Sequence, residues 1–288
     1  MENVDCIICN STINSPYIEV LDRFSCKSFQ IVKCECGFKF LSPRPKFSGI
    51  TYYYENDDYD PHRLENKSIF HTVYGWVQKI ALRWKFKHIS KFIRSGNLLD
   101  IGGGGGRFCS YFKSKGWRVS LQDNSSKARF LAQEADIETY TLLSEIQSQQ
   151  FDLITMWHSL EHIHAIDALF QNVNRLTSDD GFLVVAVPNI NAPERKFLGK
   201  DWAPWDAPRH LYHFNYAQLS KLLRKYGWKI EFSMPMIQDT PYNILLSLNV
   251  KSPLELIWGG FVLLYSLIKI TIGGVNSSSS LMVICKKI

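Results

Sequence analysis

Five consecutive glycines separate an aliphatic run from a helix-like segment in residues 98–108, LLDIGGGGGRF, and no other stretch restricts the fold so strongly. The aliphatics predict a buried strand, Arg107 and Phe108 a helix start, and the glycines a tight turn between the two. Glycine reaches positive φ without strain and leaves backbone amides open, so such a loop cradles a nucleotide-like group.

The segments around this loop alternate between two periods. Residues 97–101, 117–122, 138–141, 151–157, 181–187 and 228–234 read as strands, 107–115, 126–135, 166–176 and 216–226 as helices, and 281–285 as a last strand. Strand and helix in alternation imply an α/β fold with a doubly wound, mostly parallel sheet, whose ligands sit beyond the carboxyl ends of the strands. At 288 residues the chain holds one large α/β domain, alone or with a small appendage. A hydrophobic content of 45% with 21% charged residues supports a sizeable core and argues against disorder. The formal charge of +6 is spread along the chain without a basic stripe, so no nucleic-acid partner is expected. MENVDCIICN lacks the basic and apolar regions of a secretion signal, which points to the cytoplasm. In that reducing compartment the seven cysteines read as thiols and metal ligands.

Four of those cysteines fall into two close pairs, Cys6 with Cys9 and Cys34 with Cys36, and Gly37 follows the second. Two pairs on two turns can make a closed tetrahedral thiolate site, so residues 1–45 read as a zinc-ribbon-like module holding a structural zinc. The second pair departs from the usual two-residue spacing, and Cys26 is an alternative ligand. Residues 46–95 read as a connector and N-terminal helices. They contain the tyrosine-rich stretch 52–59, a surface loop or a lid, and an apolar periodicity over 66–94. Residues 96–288 form the main domain, interrupted by an apolar helical insertion over 240–274. Its apolar core, 256–268, spans 13 residues, short of the ~20 that cross a bilayer. A buried helix is the first expectation there, then a homodimer contact or a peripheral membrane contact through 254–270.

The glycines distinguish two cofactor classes. A dehydrogenase fingerprint needs glycine at 107 or 108, where Arg107 and Phe108 stand. The pattern that fits is D-x-G-x-G-x-G, with Asp100, Gly102, Gly104 and Gly106. Asp123 lies 23 residues beyond Asp100, Phe151-Asp152-Leu153-Ile154 opens the fourth strand, and Trp157-His158-Ser159-Leu160-Glu161-His162 follows it. Val187-Pro188-Asn189 and Pro208-Arg209-His210-Leu211-Tyr212-His213-Phe214 come next. In these residues the chain resembles the class I S-adenosylmethionine-dependent methyltransferases, in particular a small-molecule subgroup, and the cysteine module resembles that of certain sugar C-methyltransferases.

The resemblance implies a Rossmann-like seven-stranded sheet. It also implies S-adenosylmethionine held by Asp100, Gly102, Gly104, Gly106, Asp123 and Trp157, and methyl transfer to a small-molecule or glycan-precursor acceptor, first of all at oxygen. Methylation at carbon or nitrogen is the alternative, and an inactive cofactor-binding scaffold is a third reading. A hydroxyl acceptor must lose a proton, a task for an imidazole with a pKa of ~6.5. His158 is the first candidate base, followed by His210 and His213. Ubiquinone-pathway O-methyltransferases bind a divalent ion where this chain has His158, Glu161 and His162, so a metal there stands beside a packed His162 as an alternative.

Overall fold

The computed structural model describes residues 1–54, 69–248 and 252–288. In chain order these form β1 (Asn14–Leu21), β2 (Ser28–Cys34), β3 (Lys39–Leu41), α1 (Phe47–Ile50), α2 (Ile69–Ile89), β4 (Asn97–Ile101), α3 (Arg107–Lys113), β5 (Arg118–Gln122), α4 (Ser126–Glu134) and β6 (Glu138–Tyr140). There follow β7 (Phe151–Trp157), α5 (Ile166–Leu176), β8 (Thr177–Pro188), α6 (Arg195–Leu198), β9 (Tyr212–His213), α7 (Tyr216–Lys225), β10 (Trp228–Pro235), α8 (Asp239–Ser247), α9 (Pro253–Gly273) and β11 (Ser280–Lys287). Most of the tyrosine-rich connector and the first turn expected of the 66–94 helix fall on 55–68, outside the described residues.

One sheet joins β1, β2, β3 and β9, and a seven-stranded sheet runs β10-β11-β8-β7-β4-β5-β6. Its β4 pairs in parallel with both β5 and β7, and β5 with β6, as the alternating pattern predicts. Chain order reverses at β4, which has β5 on one side and β7 on the other. Ligands of doubly wound sheets bind in the crevice at such a reversal, beyond the carboxyl ends of the strands.

The chain divides into two units. The first comprises Met1–Tyr59, Leu160–His164 and Ala186–Val283; the second comprises Asp60–Ser159, Ala165–Val185 and Ile284–Ile288. In the second, Leu98, Leu99, Leu153, Ile154 and Met156 bury the middle of the parallel strands completely. Phe170 and Val173 of α5 are just as buried, recurring on one helix face.

In the first unit, β9 completes the sheet begun by β1, β2 and β3, so residues 212–213 supply a strand that 1–45 lacks. Phe38 lies between Phe40, Tyr212 and Phe214 at ring-centroid distances of 6.0, 6.2 and 5.3 Å, which gives this small sheet an aromatic core.

Helix α9 corrects the expectation for 256–268. Ser252 and Glu255 form a capping box with Pro253 in the first turn, and the helix continues through Lys269 and Thr271 for 21 residues before Gly274 (φ +56) ends it. It is long and apolar enough to cross a membrane. Nor is it a buried helix. Gly259, Val262, Ser266 and Ile270 are fully buried and Leu263, Tyr265 and Leu267 half-buried, whereas Leu254 and Ile272 are 75% and 77% exposed.

Candidate functional site

The glycine loop belongs to the second unit and begins where β4 ends. Gly102, Gly104 and Gly106 adopt φ of +70°, +54° and +74°, so the alternate glycines of the motif are those whose backbone lies in the left-handed region. The loop is pinned by its neighbours in the sheet. The Gln122 carbonyl at the end of β5 accepts from the Gly102 amide at 2.7 Å and from the Gly103 amide at 3.3 Å. Asp123 Oδ2 accepts from the Gly104 amide at 2.9 Å, and Asp123 Oδ1 accepts from the Ser125 amide at 2.8 Å. The cap of α4 is Ser125, whose hydroxyl accepts from the Ala128 amide, so Asp123 is not the N-cap of that helix.

Space distinguishes the glycines further. A Cβ on Gly102 would meet Ser159 Cβ at 2.6 Å, and one on Gly106 would meet Ile137 Cδ1 at 2.8 Å and Ala132 Cβ at 3.0 Å. Gly103 has ordinary φ, but its Cβ would lie 2.6 Å from Leu121 Cδ1 and 2.8 Å from Asp100 Oδ2. Gly105 alone of these four has ordinary van der Waals room, with Leu131 at 3.5 Å. The motif therefore includes Gly103, which sequence spacing leaves looking incidental.

Asp100 is buried and its Oδ1 accepts from the Thr155 hydroxyl of β7 at 2.6 Å. Burial raises its carboxyl to about 7, against the opposing effects of the Thr155 hydrogen bond and the Lys85 charge; Asp123 pushes it up further. Lys85 of α2 places its ammonium 3.7 Å from the centroid of the Trp157 ring, and Phe108 packs on that ring at 5.2 Å. Trp157 Nε1 is buried with no hydrogen-bond partner among the described residues.

His158 follows with φ +52°, uncommon for a side chain with a Cβ. Ser159 locks this turn, its hydroxyl donating to the Ile101 carbonyl at 2.9 Å. The end of β7 is thus bound to the start of the glycine loop. Sequence reasoning missed Ser159, Thr155 and Lys85: the first lies inside the WHSLEH stretch, and the other two carry no motif at all.

The other predicted residues belong to the first unit. His162 Nδ1 lies 3.0 Å from the Arg209 carbonyl and 2.9 Å from the Tyr54 hydroxyl, and its ring meets that of His210 edge-on at 4.6 Å. Burial and the His210 charge lower the His162 pKa to about 4, leaving it neutral at pH 7. His210 Nδ1 contacts the Pro204 carbonyl at 2.8 Å, and its Nε2 is 3.9 Å from Asp206. His213 is 4% exposed against Trp205, with Nε2 unpartnered among the described residues, and burial holds its pKa well below the ordinary value. Arg209, also buried, donates to Asp22 and Asp206 at 2.7 Å each and fixes the segment that carries these histidines.

Two side-chain groups among the described residues bring potential metal ligands within 4.8 Å of one another: Cys6, Cys9, Cys34 and Cys36, and separately Glu161, His162 and His210. In the first, Cys6 and Cys36 Sγ are 3.6 Å apart and Cys9 and Cys34 Sγ 3.4 Å. Asn10 and Gly37, each directly after a cysteine pair, have φ of +58° and +85° and turn the chain back, while Cys26 is exposed and outside the group.

A family model described as a methyltransferase domain matches residues 75–231, over half of the chain. The chain belongs to the methyltransferase-domain family. The matched span holds the glycine loop, Asp123 and the WHSLEH stretch, and it excludes both the cysteine module and α9. No curated protein sequence matches the chain.

Among solved structures, the 1,6-didemethyltoxoflavin-N1-methyltransferase of Burkholderia thailandensis, bound to S-adenosylhomocysteine, is 17% identical over 88% of this chain and 96% of its own, with a TM-score of 0.50. A possible histamine N-methyltransferase of Thermotoga maritima is 13% identical over 76% and 95%, with a TM-score of 0.51. Mitomycin 7-O-methyltransferase, at 15% identity and a TM-score of 0.45, aligns over 67% of this chain, which spans about half of that enzyme (49%). The chain thus carries a methyltransferase domain built on a Rossmann-like sheet. The loop would suit S-adenosylmethionine: a bare backbone a Cβ would fill, an acid at the end of the next strand, and an indole donor with no partner among the described residues.

Proposed function

We propose that the enzyme methylates a hydroxyl oxygen of a small-molecule or glycan-precursor acceptor, with His158 as the base. The observation that carries this reading is the His158 turn. An imidazole is held in left-handed backbone immediately after β7, by a serine tied to the first residues of the cofactor loop. Strain kept at one residue by its surroundings is common where a side chain must be aimed.

Asp100, Gly102, Gly104, Gly106, Asp123 and Trp157 would hold the cofactor. Asp123 would exchange its loop-amide bonds for ribose hydroxyls, and Trp157 Nε1 would donate. The bound cofactor supplies a methyl group on a positively charged sulfur, already electrophilic. What the protein adds is at the acceptor: His158 takes the hydroxyl proton as that oxygen becomes the nucleophile, and the fixed turn sets its direction.

His210 is a second candidate for the base, held by the Pro204 carbonyl and Asp206. The depth of His213 favours a packing role for it. The four cysteines would hold a structural zinc. Tetrahedral bonds of ~2.3 Å put sulfurs about 3.8 Å apart, close to the spacings of 3.6 and 3.4 Å here.

Calorimetry with S-adenosylhomocysteine tests the binding step; no heat from folded protein would sink this reading and the inactive-scaffold alternative together. The base is tested by transfer of labelled methyl from S-adenosylmethionine into fractionated metabolite and glycan-precursor extracts. His158→Asn keeps a residue that tolerates left-handed φ, so it should bind S-adenosylhomocysteine as before and lose turnover by about a hundredfold or more. Unchanged turnover removes His158 from the role.

A further inference from the structure

We infer that helix α9, with the end of α8, docks the enzyme on an anionic phospholipid surface, lying along the membrane rather than crossing it. This is independent of the acceptor and of the base. The fully buried residues of α9 are Gly259, Val262, Ser266 and Ile270, two of them small, while eight large apolar side chains, Leu254, Leu256, Ile257, Trp258, Phe261, Leu264, Ile268 and Ile272, are exposed. A surface helix of a soluble protein has the opposite arrangement. From α8, Tyr242, Leu245 and Leu246 are exposed as well, and Leu248 closes on Gly259, where a Cβ would meet it at 2.7 Å. The apolar area left open is on the order of 1,000 Å², beyond the few hundred that a soluble surface carries without a partner.

The width of the face selects lipid over a second copy of the chain. At 100° per residue, the exposed large side chains from Leu256 round to Trp258 cover roughly 200° of the helix circumference. One partner helix packs along a narrow seam. Hydrocarbon covers the whole arc.

Charge agrees with that choice. Between residues 253 and 273 the only charged side chains are Glu255, bound in the capping box, and Lys269, which is exposed. Phe197 of α6 packs edge-on against Trp258, Phe261 and Tyr265 at 5.6, 5.9 and 5.0 Å. Beside Phe197, Lys196 and Lys200 are exposed, with Asp201 the one exposed acid of that segment. Lysines at the edge of an apolar face with Trp and Tyr match the headgroup layer of an anionic membrane.

A buried polar cluster lies behind the helix. The buried Glu194 carboxyl accepts from Ser279, whose hydroxyl also lies 2.8 Å from Thr240 of α8, and it faces Ser266 of α9. Spanning a bilayer would take Gly259, Val262, Ser266 and Ile270 away from the protein surface that buries them, so α9 lies in the interface with its outer half in the lipid.

Flotation of the full chain with phosphatidylglycerol–phosphatidylcholine vesicles tests this, with thermal unfolding as the check on folding. Wild type should float, less in high salt or with phosphatidylcholine alone. Leu264→Glu with Ile268→Glu should lower the bound fraction about tenfold or more. Lys196→Glu with Lys269→Glu should weaken binding only to the anionic vesicles. Folded wild type that stays at the bottom of the gradient overturns the inference, as does equal flotation of the Leu264→Glu, Ile268→Glu variant. A dimer by sedimentation equilibrium that is abolished by the same pair, without vesicle binding, reassigns the face to a second copy of the chain.

Discussion

Replacing Gly102 and Gly105 by alanine, separately, should give opposite results although the two glycines are three residues apart in one run. At Gly102 the backbone is left-handed at φ +70°, which costs a residue with a Cβ about 1–2 kcal/mol. The new methyl would also sit 2.6 Å from Ser159 Cβ. Ser159 cannot retreat without giving up its hydrogen bond to the Ile101 carbonyl, and overpacking of that kind costs about 1–3 kcal/mol. The sum, about 2–5 kcal/mol, corresponds to a fall in Tm of roughly 5–15 °C for a chain of this size. At Gly105, φ is ordinary and the methyl finds Leu131 at 3.5 Å, so alanine should leave Tm unchanged or raise it by stiffening the unfolded chain. Gly103→Ala should fall between them, because the Leu121 side chain can yield but the Asp100 carboxylate is held by Thr155. Differential scanning calorimetry gives Tm, and titration with S-adenosylhomocysteine gives affinity. Affinity should follow the same order. Equal Tm for Gly102→Ala and Gly105→Ala would refute the steric argument; so would failure of an added Ser159→Gly to recover part of the Gly102→Ala loss.

Other measurements test the remaining geometry. Asp100 has a folded pKa of about 7 against the ordinary aspartate value of 3.8, so the folded state binds the extra proton between those values. Stability from this group is therefore greatest at low pH and falls as pH rises toward 7; Asp100→Asn should flatten that part of the Tm-against-pH curve. His162 has the opposite sign. With a folded pKa of about 4, its contribution is lost as pH falls from 6.5 toward 4, and His162→Gln should lessen the acid sensitivity. Arg209→Met leaves the buried Asp22 and the half-buried Asp206 without their shared cation and should cost about 3–5 kcal/mol in chemical denaturation. Elemental analysis should find about one zinc per chain. Cys9→Ser with Cys36→Ser should lose it and lower Tm, and a metal-free, fully stable wild type would contradict the zinc assignment.

Much of the fold was legible because its signals are local. The strands β4, β5 and β7 and the helices α3, α4, α5 and α7 lie within a few residues of their expected bounds, since buried parallel strands and one-sided helices write their periods into consecutive residues. The positive φ of Gly102, Gly104 and Gly106 was likewise implied by the alternate-glycine motif. The tight fit of Gly103 was not, because it depends on Leu121 one strand away and on how Asp100 turns its carboxylate. Helix α9 was misjudged for a related reason. Counting only the uninterrupted apolar run stopped at Lys269, while the capping box and the carboxyl-terminal glycine, not hydrophobicity, set where the helix ends.

The sequence by itself determined the alternation of elements, the glycine loop with Asp123 beyond it, and the two cysteine pairs, all patterns carried by neighbours along the chain. Tertiary structure alone decided that the Trp157 indole, under Lys85, has no hydrogen-bond partner among the described residues and that Ser159 holds His158 in a left-handed turn. It also put His213 in a core and turned the large side chains of α9 outward. Each of these depends on which distant segment comes to lie against the residue, and burial, desolvation and hydrogen-bond partners exist only once the chain has closed on itself.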